Sequence, residues 1–297
     1  MICSTIRRTL SILTACSLLA APAVLLTGCG SNSDSAASQQ ATASNGQSLN
    51  PYIDAINHYN RGQVTCDVII TPSLDSLRKG ERKEYIFLPD FEKLKDTLEK
   101  ARSDPKVAGV YPDIDAAADD LLAILKDLAP LADKMEAYYS SKGYMADGYA
   151  ESDRMAAQFL PLYDQFDAAY DKFDATVTKH FKELRVAQLE EMRKDGRVNA
   201  ANYLELTIKT RELVDMLDKE NVDKGAAEAK IAEINDLSGK LSDVPALGSY
   251  KSNLNRFIGT VRSYLAGQAD GNKVIDDFND LVRSSQNLDL GDLDKKK

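Results

Sequence analysis

Apolar residues recur at helical spacing along two neighbouring stretches between residues 113 and 194. Within each stretch they are separated by three or four residues, and the second also has a period of eleven, so each set lies on one face of an α-helix. The first face comprises Ile114, Ala118, Leu121, Leu125, Leu128, Ala132, Met135 and Tyr139; the second, rich in aromatic residues, comprises Met155, Phe159, Leu162, Phe166, Tyr170, Phe173, Val177, Phe181 and Leu184. We therefore predict two long amphipathic helices.

A short polar segment, Ser140 to Tyr144, joins these two helices. It contains Gly143, which can adopt the left-handed backbone conformation that commonly ends a helix. The sequence therefore predicts an antiparallel helical hairpin with Gly143 at the turn.

Further stretches have the same helical periodicity. They cover residues 49–63, 89–102, 198–217, 226–241, 247–265 and 274–282. Residues 64–70 form the one short β-branched run, and they are either helical or an extended connector, because a lone strand has no partner. We predict an all-α fold, an antiparallel bundle of long amphipathic helices spanning residues 49–287 and followed by a polar tail, residues 288–297.

The N-terminus has the organisation of a secretory signal peptide. Arg7 and Arg8 precede an apolar run, and the four residues Leu26 to Cys29 resemble the bacterial lipobox. The resemblance implies that residues 1–28 are removed and that Cys29 becomes the lipidated first residue; a plain signal peptide or an uncleaved membrane helix is the alternative. Several acyl chains on one residue would anchor the protein stably to a membrane.

Residues 29–48 are predicted to be the lipidated cysteine and a flexible tether. The segment after Cys29 consists almost entirely of small and polar residues, which cannot bury enough apolar surface to become ordered. Gly30 follows the cysteine, whereas an Asp in that place usually signals retention in the inner membrane. The resemblance to lipoproteins thus implies the outer membrane, facing the periplasm, in a host with two membranes, and the outer face of the plasma membrane in a host with one.

The charge of the chain disfavours two classes of partner. The formal net charge is −9, and without Arg7 and Arg8 of the leader 35 basic and 46 acidic residues remain, a net charge of −11. Such a surface repels nucleic acid and anionic lipid head groups. We therefore expect no nucleic-acid partner and attribute membrane attachment to the acyl chains on Cys29.

The sequence indicates no catalytic residue, metal ligand or cofactor site. His58 and His180 are far apart and lack the spacing of a zinc site, and the carboxylate pairs are typical of solvated helix faces. Cys66 is the one cysteine of the predicted domain, so a disulfide framework within it is excluded. We interpret Cys66 as a buried small residue; a redox or intermolecular role is the alternative.

Four tyrosines cluster around the predicted hairpin turn. Tyr138, Tyr139, Tyr144 and Tyr149 occur together with Lys142. Tyrosine combines contact area with a hydroxyl group and is common at binding surfaces, so these five residues are our candidate interaction surface. In the alternative interpretation, the rings close the end of the bundle and belong to the core.

The same region carries a family resemblance. The leader, the segments Pro51-Tyr52-Ile53 and Tyr59-Asn60, and the order of motifs from Leu131 to Tyr170 resemble the YiiG-like bacterial lipoproteins, a family of unknown function. The motifs are Tyr138-Tyr139, Lys142-Gly143-Tyr144, Asp147-Gly148-Tyr149-Ala150 and Leu160-Pro161-Leu162-Tyr163. The resemblance implies a mostly helical envelope lipoprotein and brings no catalytic residue, cofactor or ligand.

Three functional hypotheses follow. The favoured one is a non-catalytic, membrane-anchored helical module that binds an envelope protein or a cell-wall polymer through the hairpin turn. The second is a metal-dependent or hydrolytic envelope enzyme with carboxylates gathered from distant helices, which requires a pocket holding three or more of them. The third is a structural spacer without a concave patch.

The lipidation hypothesis predicts that Cys29→Ala releases the protein from membranes into the soluble envelope fraction, because the acyl chains are its only anchor. Fractionation followed by immunoblotting measures this change. Cys66→Ala is the matched control and should leave the protein with the membranes. Continued membrane association of the Cys29→Ala protein would contradict the hypothesis.

Overall fold

The computed structural model describes residues 46–59, 70–217, 221–241, 244–285 and 288–294. The predicted signal peptide, Cys29, the predicted tether up to residue 45, and residues 64–69 with Cys66 lie outside the described residues.

The all-α prediction is confirmed: within the described ranges, no residue belongs to a strand. Described residues 46–59 form α1. The following helices are α2 (Ile70–Arg78), α3 (Phe91–Ser103), α4 (Pro112–Ser140), α5 (Tyr144–Asp147), α6 (Ala150–Lys194), α7 (Val198–Leu217), α8 (Lys224–Lys240), a 3-10 turn (Pro245–Leu247), α9 (Gly248–Leu265) and α10 (Gly271–Ser285). The chain divides into two compact units, and the division falls inside α6, between His180 and Phe181.

In the first unit, Ser48–His180, α4 and α6 form the antiparallel hairpin that the sequence predicts. The hydroxyls of Tyr139 and Ser152 are 2.7 Å apart, Lys172 Nζ lies 2.7 Å from Asp120 Oδ2, and His180 Nε2 lies 2.8 Å from Asp113 Oδ2. As the residue number falls along α4, it rises along α6, which is the signature of antiparallel pairing.

The predicted apolar faces form the core of this unit. Every residue of the predicted α4 face is buried. The α6 face needs two corrections. Leu162 and Phe181 are only half-buried, and the ring of Tyr163, 7% exposed, lies in the core in place of Leu162. Tyr163 continues the four-and-three spacing from Phe159 to Phe166. Tyr59 of α1 and Phe91 of α3 pack on this aromatic face, with ring centroids 5.5 and 5.0 Å from that of Phe166.

The hairpin turn differs from the prediction in its left-handed residue. Lys142 has φ 57°, whereas Gly143 is right-handed. The N–H groups of Lys142 and Gly143 donate to the carbonyls of Tyr139 and Tyr138, the paired hydrogen bonds that close a helix C-terminus. Gly143 is required for a different reason, because a Cβ there would lie 2.6 Å from the Tyr138 ring.

The second unit contains the chain from Phe181 onward. Within it α7 packs against α8 and α9 against α10. The segment after α10, for which the sequence indicates a polar tail, packs on these helices. Leu293 is 4% exposed, and the Asp294 carboxylate accepts hydrogen bonds from the N–H groups of Asn199 and Ala200 at the start of α7.

A buried carboxylate connects three helices of the first unit. Asp115, at the start of α4, is 7% exposed and accepts a hydrogen bond from Tyr52 of α1 at 2.5 Å and one from the Gly109 N–H at 2.6 Å. Arg102 Nη1 of α3 lies 2.8 Å from the same carboxylate, and Arg102 also binds Asp119 on the surface. Asp115 therefore fixes α1 and α3 on α4.

We predict that Asp115→Ala lowers the free energy of unfolding by about 3 kcal/mol, because it removes the acceptor of the buried Tyr52 hydroxyl and of the Gly109 N–H and the counter-charge of Arg102. Asp119→Ala is the matched control: it removes an exposed partner of the same arginine and should cost less than about 1 kcal/mol. Urea unfolding followed by circular dichroism measures both. Equal losses in the two variants would contradict a special role of the buried carboxylate.

Candidate functional site: the surface at the hairpin turn

The structure brings the four predicted tyrosines together at the hairpin turn. The ring centroids of Tyr138 and Tyr139 are 5.5 Å apart, those of Tyr139 and Tyr144 are 6.1 Å apart, and those of Tyr144 and Tyr149, which stack, are 5.0 Å apart. Lys142 lies in the turn and is exposed. The rings therefore form one continuous row around the end of the hairpin.

The row has a buried part and a surface part. Tyr139 and Tyr144 are 6% and 8% exposed, and the Tyr139 hydroxyl shares its buried hydrogen bond with Ser152 at the start of α6. Tyr138 and Tyr149 are half-buried. The two inner rings thus close the end of the core, and the two outer rings present part of their faces to solvent.

Asp147 holds the outer rings in place. Its carboxylate accepts hydrogen bonds from the Tyr138 hydroxyl at 2.6 Å and from the N–H groups of Tyr149 and Glu151 at 3.0 and 3.1 Å. The hydrogen bond from Tyr138 holds the pKa of Asp147 below its usual range, so the carboxylate is charged at neutral pH. One side chain therefore fixes both the turn backbone and an outer ring.

A segment between α2 and α3 runs past the same end of the unit. The guanidinium of Arg82 lies over the Tyr149 ring, 5.1 Å from its centroid, and makes two hydrogen bonds with the Asp153 carboxylate of α6. Further along, the side chain of Leu88 is buried, and the backbone N–H of Phe87 donates to Ser73 Oγ of α2 at 3.3 Å. Arg82 therefore holds the segment against α6, and Phe87 holds it against α2.

This segment exposes apolar side chains that the sequence reasoning missed. Tyr85 and Phe87 are 64% and 45% exposed, with ring centroids 5.4 Å apart, and Met145 of α5 is 75% exposed. The sequence feature that could have indicated this exposure is the pair of aromatic residues two positions apart within a charged connector. We call the exposed or half-exposed residues at this end the turn surface: Tyr85, Phe87, Tyr138, Lys142, Met145 and Tyr149.

The other candidate residues lie elsewhere. His58 is exposed on α1, and His180 pairs with Asp113 at the opposite end of the hairpin from the turn. In the described part of the chain, no group of three or more His, Cys, Asp or Glu residues could hold a metal ion. No described helix is both long and apolar enough to cross a membrane.

The fold and the turn surface define an all-α protein built on a long antiparallel hairpin with an aromatic end. Residues 49–293, most of the chain, match the model of a family described as "Protein of unknown function (DUF3829)". The chain belongs to this family. No curated protein and no solved structure matches it.

We predict that Tyr139→Ala lowers the free energy of unfolding by about 3 kcal/mol, because it removes a buried ring. Tyr139→Phe keeps the ring and loses only the hydrogen bond with Ser152, so it should cost about 1 kcal/mol. Tyr85→Ala, on the exposed segment, should stay within about 0.5 kcal/mol of the wild type. Urea unfolding measures the three values, and a Tyr139→Ala protein as stable as the wild type would contradict the buried role of this ring.

Proposed function

We propose that this protein is a membrane-anchored, non-catalytic helical module that binds a partner protein of the cell envelope through the turn surface. The observation that carries the proposal is the exposure of Tyr85, Phe87 and Met145 beside the half-exposed rings of Tyr138 and Tyr149. Large apolar side chains gathered at one end of a unit are typical of interaction sites.

The composition of the turn surface favours a protein partner. Aromatic residues, Met and Arg are enriched in protein interfaces, and this surface holds four aromatic rings, Met145 and the nearby guanidinium of Arg82. Several of these side chains are held before binding, since Asp147 fixes Tyr138 and Arg82 lies against Tyr149. A surface fixed in this way loses little conformational entropy when a partner binds.

We also propose that the chain is a YiiG-like lipoprotein within its family and is attached by acyl chains on Cys29. The lipobox resemblance and the small, polar residues after Cys29 support this proposal. By the resemblance to lipoproteins of two-membrane bacteria, Gly30 after Cys29 supports attachment to the outer membrane, facing the periplasm. The predicted tether extended to residue 48, but residues 46–48 belong to α1 and Ser48 is buried, so the tether would end at residue 45. Residues 30–45 would reach about 22 Å by the random-coil estimate, so the domain would meet partners close to that membrane.

A photo-crosslinking amino acid at position 87 tests the binding proposal in the intact envelope. We expect one partner protein to be captured, and we expect Tyr85→Ser combined with Met145→Ser to lower the yield about tenfold or more, because both side chains would be lost from the interface. The melting temperature should not change, since both residues are exposed.

The double variant Val186→Ser with Val198→Ser is the matched control. These side chains are 50% and 61% exposed, belong to the second unit and should leave the capture unchanged. An equal loss in the control would contradict the proposed surface. Capture of peptidoglycan fragments in place of a protein would contradict the protein partner while supporting the surface.

A further inference from the structure

Two residues of the turn surface have a backbone conformation that non-glycine residues rarely adopt. Lys142 has φ 57° and Tyr149 has φ 74°, and in the described part of the chain they are the two non-glycine residues with positive φ. The conformation is unfavourable for an L-residue, because its Cβ comes too close to the following carbonyl oxygen. Residues held in this way gather at functional sites, where the side chain is worth the cost.

The cost at Tyr149 is offset within the protein. Its ring stacks on the ring of Tyr144 with the centroids 5.0 Å apart, and the guanidinium of Arg82 lies 5.1 Å from its centroid. Its N–H also donates to the Asp147 carboxylate. These internal contacts account for a tyrosine at this position.

Lys142 occupies the position of a helix end at which glycine is usual. The N–H groups of Lys142 and Gly143 donate to the carbonyls of Tyr139 and Tyr138, so α4 ends in a Schellman motif whose left-handed residue is Lys142. Glycine adopts this conformation without a steric penalty. The same backbone hydrogen bonds would form with glycine at this position, so they do not explain the lysine.

The side chain of Lys142 has no internal partner that explains it either. It is exposed, and among the described residues it makes no hydrogen bond and no ion pair. The carboxylates of the turn and of the start of α6 already have partners within the protein; they are Asp147, Glu151 and Asp153. The ammonium group of Lys142 is therefore available to a carboxylate of another molecule.

The position of Lys142 places this cation beside exposed apolar groups. The next residue, Gly143, lies so close to the Tyr138 ring that a Cβ would be 2.6 Å from it. The Met145 N–H donates to the Lys142 carbonyl at 3.0 Å, and the Met145 side chain is 75% exposed. Charged groups at the edge of an apolar contact area commonly decide which partner is accepted.

We propose that Lys142 selects the partner of the turn surface by pairing with an Asp or Glu carboxylate of that protein, next to the apolar side chains that cover Phe87 and Met145. This inference rests on the proposed function, because it requires a protein bound at the turn surface. The formal net charge of the chain is −9, so an acidic segment is repelled by the molecule as a whole. A local cation without an internal counter-charge makes such a segment acceptable at this one place.

Lys142→Ala tests this role in the photo-crosslinking experiment from position 87. The variant keeps the Cβ and loses the ammonium group, so we expect about fivefold lower capture of the partner at an unchanged melting temperature. Lys142→Arg should retain the capture, because it keeps the charge. Lys126→Ala is the matched control: it removes an exposed lysine of α4 about 20 Å from the turn and should leave the capture unchanged.

The two proposals fail in different ways in this experiment. Capture by Lys142→Ala equal to that by the wild type would overturn the role of Lys142 and leave the proposed function intact. Absence of any captured protein with the wild type would overturn both. An equal loss of capture in Lys126→Ala would overturn the role of Lys142, because the effect would then depend on total charge.

Lys142→Gly separates binding from folding, because the two properties should change in opposite directions. Removal of the Cβ relieves the left-handed conformation, so we expect the melting temperature to rise by about 2 °C. Capture of the partner should fall as far as in Lys142→Ala, since the ammonium group is lost in both variants. A lower melting temperature would show that the lysine stabilises the turn and would overturn the proposal.

A carbodiimide, which joins an amine directly to a carboxylate, provides a readout at the level of the interacting groups. In envelopes with the wild-type protein, we expect a cross-link between Lys142 Nζ and an Asp or Glu residue of the partner that position 87 captures, identified by mass spectrometry after digestion. Lys126 should give no cross-link to that partner. Cross-links from Lys142 only to carboxylates of its own chain, or only to carboxylates of the cell wall, would overturn the proposal.

Discussion

The antiparallel pairing of α4 and α6 is the constraint on which the first unit depends. Each helix has one continuous apolar face, and neither face can be removed from water by its own helix. Pairing buries both, and contacts from Asp113 with His180 to Tyr139 with Ser152 hold them in one register. Once that register is set, α1 and α3 complete the core by placing Tyr59 and Phe91 on the aromatic face of α6. Burial of apolar surface is thus the principal stabilising term.

The same pairing produces the turn surface. Because the hairpin ends between Ser140 and Ala150, tyrosines from the end of α4, from α5 and from the residue before α6 must share a small volume. Tyr139 and Tyr144 fill the interior, and Tyr138 and Tyr149 are left at the rim. The two interpretations of this cluster, closure of the core and recognition, therefore apply to different rings. A residue such as Tyr139 supports the site without being accessible to a partner.

The sequence predicts those features that arise from local spacing. The predicted range of α7 is identical to the observed one, and every residue predicted for the α4 face is buried. Both predictions succeed because helical periodicity depends only on residues three and four positions apart in the sequence. Features that depend on tertiary contact were missed. Gly143 was expected to adopt the left-handed conformation, but Lys142 adopts it instead. Gly143 is needed because the Tyr138 ring lies too close to leave room for a Cβ.

Side chains whose burial or exposure is unusual for their residue type could also not be predicted from the sequence. Arg185 follows Leu184 on the buried side of α6, and an arginine is ordinarily exposed. Its Nη2 donates a hydrogen bond to Thr207 of α7, a contact that periodicity along α6 does not reveal. Tyr85 and Phe87 show the opposite case, since aromatic residues are ordinarily counted toward a core and these two are exposed.

The cap supplied by Asp294 has a consequence for how the chain is made. The carboxylate that binds the first N–H groups of α7 lies 95 residues beyond Asn199 in sequence. During synthesis, therefore, the first unit has all of its residues long before the second unit can complete the cap of its first whole helix. The second unit reaches its final hydrogen bonding only after residue 294 has left the ribosome. Loss of the Asp294 carboxylate would accordingly be felt at the start of α7.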